Sequence, residues 1–148
     1  MVELVATGII TASSILLFGY WFRYTCLLIL SAKTTRDYAG AVATANQLGF
    51  LEVQSQLTES APQLDKLRDT LDRDYSVLVY LLKHAPSSGD ASLEMRMVEI
   101  NYRMMRTWYN VSRRFSRAAA TRAIEEMSQV VAHFANAMGE RASVGAAA

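Results

Sequence analysis

From Leu4 to Phe22 the chain carries no charged residue, and after Arg23 a second uncharged run extends from Tyr24 to Ala32. Together they predict about 43 Å of helix at roughly 1.5 Å per residue. A hydrocarbon core of roughly 30 Å takes about 20 residues, so one membrane span fits and two do not. The segment begins with Glu3 rather than a basic run, and Leu30-Ser31-Ala32 places no small residue three positions before a cleavage point, so a retained anchor over 1–32 is expected instead of a signal peptide. The central helix of a soluble bundle, apolar all round, is the alternative.

Beyond the apolar segment the pattern changes. Asp37 to Gly49 is rich in small residues, with Ala39, Gly40, Ala41, Ala43 and Ala45, and can pack backbone-close. Phe50, Leu57, Leu64, Leu71 and Leu78 then recur every seven residues, with Leu67 and Leu81 three positions after two of them. A sustained heptad predicts a coiled-coil-like seam. Pro62 either restarts a helix capped by Ser60 or kinks a longer one, with the direction of the chain kept. Pro86-Ser87-Ser88-Gly89-Asp90 reads as a turn, with Asp90 as N-cap of the next helix.

The expectation is an all-α chain: a transmembrane anchor at 1–32, then a long antiparallel helical hairpin. Its first arm runs over 33–85, its turn over 86–90 and its second arm over 91–140, leaving a loose tail at 141–148. Folding about position 88 pairs residue n with 176 minus n, placing Tyr102 near Asp74, Phe134 near Val42 and Gly139 near Asp37. Straight upright arms would project about 75 Å.

On the second arm, at 100° per residue, Met97, Ile100, Met104, Trp108, Val111 and Phe115 share one stripe. This stripe is expected to zip against the leucines. Val98, Tyr102, Met105 and Tyr109 form a second stripe about 120° away. One antiparallel partner cannot cover both, so the second is expected to be buried by another chain, a setting that suits adaptable Met and amphipathic Tyr.

Charge adds a third face. The total is nearly balanced, with Lys+Arg 15 against Asp+Glu 14, which argues for neither nucleic acid nor an acidic substrate. Between Ile100 and Ile124, however, there are six arginines (Arg103, Arg106, Arg113, Arg114, Arg117 and Arg122) and no acid. Arg96, Arg103 and Arg114 flank the first stripe and can reach Glu59, Asp65, Asp69, Asp72 or Asp74 on the opposing arm. Arg106, Arg113 and Arg117 are expected to point away, toward water, an acidic protein surface or anionic lipid; their guanidinium forks suit carboxylate and phosphate alike.

Near the membrane, Tyr20, Trp21, Phe22 and Tyr24 surround Arg23. They form either an interfacial aromatic belt with a snorkelling arginine or, if Cys26 to Leu30 lies in hydrocarbon, an intramembrane charge needing a partner carboxylate or lipid phosphate. Gly8, Ala12, Ser13 and Gly19 are spaced for approach of another transmembrane helix. Lys33 and Arg36 on one side against Glu3 on the other place the hairpin in the cytoplasm and the N-terminus outside, in a bacterial inner membrane.

The single cysteine, Cys26, allows no intramolecular disulfide and no thiolate metal site. His84 and His133 stand in no metal-ligand spacing, and no phosphate-binding glycine loop, HExxH or GxSxG is present. No catalytic residue, metal or cofactor is expected. The sequence therefore points to a non-catalytic, single-pass accessory subunit of a larger membrane protein complex. It would bind other integral membrane proteins through Tyr102, Met105, Tyr109, Arg106, Arg113 and Arg117. Alternatives are a self-assembling coiled-coil scaffold and a binder of anionic lipid at the cytoplasmic face.

Overall fold

A computed structural model of the chain describes residues 1–32, 37–85 and 93–147. Among them are six α-helices and no strand: α1 (Val2–Ser31), α2 (Ala39–Asn46), α3 (Phe50–Gln56), α4 (Leu64–His84), α5 (Leu93–Ser112) and α6 (Arg117–Ala147). They form two compact units, Met1–Ala32 and Lys33–Ala148. Lys33, Arg36, the 86–90 turn and the Asp90 cap lie outside the described residues.

The first unit is α1 alone, long and apolar enough to cross a membrane, with none of its most apolar window buried. Its hydroxyls turn back onto its own carbonyls: Thr7 Oγ1 donates to Glu3 O at 2.8 Å, Thr25 Oγ1 to Trp21 O at 2.9 Å and Ser31 Oγ to Leu28 O at 3.0 Å. Internal satisfaction of polar groups is what a hydrocarbon surround requires. The helix runs unbroken through Arg23, and Tyr20 stacks on Tyr24 with centroids 6.4 Å apart.

The second unit is built around α6. Ala120, Ala123, Ile124, Met127, Val130, Val131, Phe134 and Ala135 are all buried on it. They span a face wide enough to serve α5, α4 and the α2–α3 pair at once. The alanines let neighbouring backbones come close, while Phe134, Met127 and Ile124 supply volume; each large apolar side chain buried stabilises the fold by about 1.5–3 kcal/mol. Into this core α4 contributes Leu67, Leu71, Leu78 and Leu82, and α2 and α3 contribute Val42, Phe50 and Val53.

Residue pairs fix the directions. α5 runs antiparallel to α6, with Asn101 Nδ2 donating to Glu126 Oε1 at 3.0 Å and Glu94 lying 3.5 Å from His133. α5 also runs antiparallel to α4, with Tyr102 on Asp72 and Tyr109 on Asp65. α4 is parallel to α6: Arg117 Nη2 reaches Pro62 O and Arg141 Nη1 reaches Leu82 O, both at 3.0 Å. At the start of α2 the Tyr38 amide donates to Asn136 Oδ1 and the ring lies on Gly139, whereas Gln54, Leu57 and Thr58 face Thr121, Glu125 and Gln129. The course is therefore down through α2 and α3, up α4, down α5 and up α6.

This arrangement corrects the expected hairpin in four places. The second arm does not run uninterrupted over 91–140. It turns at 113–116, where the Ser116 amide donates to Ser112 O at 2.8 Å and Ser116 Oγ accepts the Ala119 amide at 3.2 Å as the cap of α6. Nor does the chain keep its direction past Pro62: it reverses between α3 and α4, and Gln63 rather than Ser60 is the N-cap of α4. The heptad therefore crosses a reversal and never forms one seam. The tail is not loose from 141, since α6 continues to Ala147.

Asp74 joins α4 to α3. Its fully buried carboxylate accepts the Gly49 amide at 2.7 Å, holding the start of α3, while Arg73 lies 3.3 Å from its other oxygen. Charge-assisted bonds to an orphan helix-terminal amide are among the stronger ones available.

Candidate interaction surface

α5 decides what this chain can offer a partner, because it carries two apolar stripes and has neighbours on one side only. The stripe turned inward is Val98, Tyr102, Met105 and Tyr109, with Asn101 and Ser112 beside it, and all six are buried within the chain's own core. Tyr102 and Tyr109 are each 1 % exposed, whereas Trp108 is 45 % and Phe115 66 % exposed. Ile100, Met104 and Val111 stand out with the last two. The stripe expected to form the core is thus, Met97 apart, the exposed one, and the stripe expected to meet another chain is internal.

The polar partners on α4 explain the inversion. Asp65 and Asp72 are seven residues apart, as are Tyr102 and Tyr109. The Tyr102 hydroxyl donates to Asp72 Oδ1 at 2.8 Å and the Tyr109 hydroxyl to Asp65 Oδ1 at 2.7 Å. Trp108 and Phe115 on the other stripe could not make both bonds. Tyr75 adds a face-to-face stack on Tyr102, with centroids 3.9 Å apart and planes within 3°. Further down the seam Arg68 donates to Asn110 Oδ1 at 3.1 Å and lies 5.7 Å from the centre of the Tyr109 ring.

Three arginines expected to point away are instead engaged, while still exposed, by groups of the chain itself. Arg106 Nε lies 3.0 Å from Asp72 Oδ2, Arg113 Nη1 lies 2.7 Å from Asp65 Oδ1, and Arg117 holds the Pro62 carbonyl. Tyr102 and Tyr109 therefore belong to the buried α4–α5 seam, Arg106 and Arg113 to its exposed edge, Met105 to the core beside it, and Arg117 to the adjoining turn. None of the six residues expected to bind a partner is wholly free to do so. Tyr20, Trp21, Arg23 and Tyr24 lie on α1.

The network shifts its own titrations. Hydrogen bonds from Tyr109 and then Arg113 hold the Asp65 carboxyl below its usual range. Burial, followed by the bond to Asp65, pushes Tyr109 up to about 12. Burial and then Asp72 raise Tyr102 further in the same direction. Burial also raises Tyr75, with Glu99 adding to the shift and Arg103 offsetting it. Both α5 tyrosines stay neutral donors across the physiological range.

What remains outward on α5 is an apolar stripe of Leu93, Ile100, Met104, Trp108 and Val111, continued in the following turn by Phe115, whose ring meets that of Trp108 edge to face at 6.0 Å. By helical position, exposed Arg96 and Arg103 follow one edge of it. No group of three or more His, Cys, Asp or Glu side chains that could hold a metal occurs among the described residues. No protein-family model, curated protein or solved structure matches the chain.

Sequence periodicity alone could not choose between the two α5 stripes, because both are amphipathic at helical spacing. The matched seven-residue spacing of the two aspartates and the two tyrosines was the available signal. Ser116 as a helix cap was a second one.

Proposed function

We propose that this chain is a non-catalytic, single-pass membrane protein that serves as an accessory subunit of a larger membrane protein complex. α1 would hold it in the bilayer and the outer stripe of α5 would dock on a neighbouring integral membrane protein. The observation that carries this reading is the stripe itself. After α5 has buried a full face in its own bundle, it still exposes Ile100, Met104, Trp108 and Val111 in one row, which Phe115 of the following turn extends against Trp108. Large apolar patches of that kind on a folded domain are rarely idle, and Trp and Phe are characteristic anchors of protein interfaces. Lys33 and Arg36 against Glu3 support a bundle on the cytoplasmic side.

Extraction in mild detergent tests the reading. The wild-type protein should co-purify with larger membrane proteins, and W108S/F115S should lose them while keeping its own melting temperature. Recovery of the wild type as a lone monomer, or equal retention of companions by the variant, would overturn it.

A second reading is favoured by the arginines along the stripe. An apolar row edged by Arg96 and Arg103 also suits the surface of an anionic bilayer. In that case companion proteins would be absent, and protease protection of α5 in vesicles would rise with the fraction of anionic lipid.

A further inference from the structure

At the end of the bundle where the α3–α4 and α5–α6 turns meet, an open cleft of about 960 Å³ lies between Ala61–Lys66 on one side and Tyr109, Arg113, Arg114, Arg117 and Ala120 on the other. Its charge is unbalanced. Lys66, Arg113, Arg114 and Arg117 line it against one carboxylate, Asp65. Asp65 is already taken, by Arg113 at 2.7 Å and by the Tyr109 hydroxyl at 2.7 Å. Arg117 meets only a neutral carbonyl, that of Pro62. Lys66 and Arg114 have no side-chain hydrogen bond or ion pair among the described residues.

We propose that this cleft binds the phosphate group of an organic phosphate. One further carboxylate would leave two of the cations unmatched, whereas a phosphate monoester brings nearly two negative charges and three acceptor oxygens. Arginine forks and a lysine point charge are the side chains that recognise such a group. The backbone contributes in the same direction. α4 opens at Leu64 in the wall of the cleft and its N-cap, Gln63, makes no side-chain cap bond, so the positive end of the helix dipole lies at the cleft. The cleft is far larger than a phosphate ion, within the range of small-molecule sites, and Ala61, Pro62, Leu64 and Ala120 give an attached organic moiety an apolar wall.

A soluble phosphate compound and a lipid phosphate share this chemistry, and the test separates them. Full-length protein in neutral detergent is titrated calorimetrically at fixed ionic strength with inorganic pyrophosphate, with dihexanoyl phosphatidic acid and with dihexanoyl phosphatidylcholine. K66Q/R114Q removes the two partnerless cations, and R122Q, an exposed arginine of α6 that does not line the cleft, serves as control. Saturable one-to-one binding of pyrophosphate, weakened at least tenfold in K66Q/R114Q and unchanged in R122Q, supports a soluble ligand. The same pattern with phosphatidic acid alone supports a lipid phosphate. No saturable binding of any of the three overturns the proposal, as does a preference for phosphatidylcholine or equal weakening in R122Q. Circular dichroism melts confirm that the variants stay folded, which the absence of internal partners for Lys66 and Arg114 leads us to expect.

Discussion

Gly139 of α6 lies against Tyr38 so closely that a methyl group at position 139 would run into the Tyr38 Cβ and ring, with Val42 Cγ2 at 3.3 Å behind them. The contact fastens the start of α2 to the last turns of α6, beside the bond from the Tyr38 amide to Asn136. Gly139→Ala should therefore destabilise the bundle by about 1–3 kcal/mol through overpacking, despite the better helix propensity of Ala. Gly40→Ala is the control, because a Cβ there meets nothing within 4 Å. It should be neutral or raise the melting temperature slightly. Thermal melts of the two variants should move in opposite directions or, at the least, differ clearly.

The α4–α5 seam makes a graded prediction. Tyr102→Phe removes a donor to Asp72, which is only partly exposed, and should cost about 1.5–3 kcal/mol, the range for a hydrogen bond to a charged group. Tyr109→Phe should cost less, because Asp65 is 66 % exposed and can turn to water and to Arg113. Chemical denaturation of the full chain in detergent would rank them. A larger loss at Tyr109 would contradict the geometry.

Gln47 closes α2 in the left-handed region, at φ 54 and ψ 43, and is the one non-glycine residue with positive φ among those described. A side chain there carries a penalty of order 1 kcal/mol that glycine avoids. Gln47→Gly should therefore stabilise the protein by up to about 1 kcal/mol, and Gln47→Val should destabilise it. Both are read from melting temperatures.

His133 gives the bundle a pH dependence. Burial lowers its pKa, while Glu94 and Glu140 oppose the shift. In the unfolded chain the ring protonates near its ordinary value of about 6.5, and in the folded chain only at lower pH. Between those values the unfolded state binds more protons, so stability is full above about pH 6.5 and falls as pH drops through the folded value. Asp65, whose pKa is also lowered, removes a further increment in stronger acid. Urea midpoints at pH 7.5 and 5.5 should differ for the wild type, and His133→Gln should narrow the difference.

Much of the helical content was legible in the sequence, and so was the register between two of the helices. Folding about position 88 placed Tyr102 within two residues of its true partner on α4, because matched arm lengths survive whatever the arms do at their far ends. The long apolar run of α1 was legible from composition alone. The two chain reversals were not. Residues 113–116 carry no glycine or proline, and four helix-compatible residues between two amphipathic stretches look like continuous helix. The 57–63 reversal was hidden by leucines that happened to keep a seven-residue spacing across it. Once these turns were missed, α6 could not be seen as a separate wall, and without that wall the inner stripe of α5 looked like an external surface. The free stripe and the basic cleft are both products of the turn at 113–116, so neither could be located from periodicity.

The central place of α6 also has a consequence in time. It comes after every helix it packs against in chain order. During synthesis α2 to α5 are made before the surface that covers their inner faces. The nascent chain must wait, with Phe50 and Leu71 short of their full cover, until α6 leaves the ribosome.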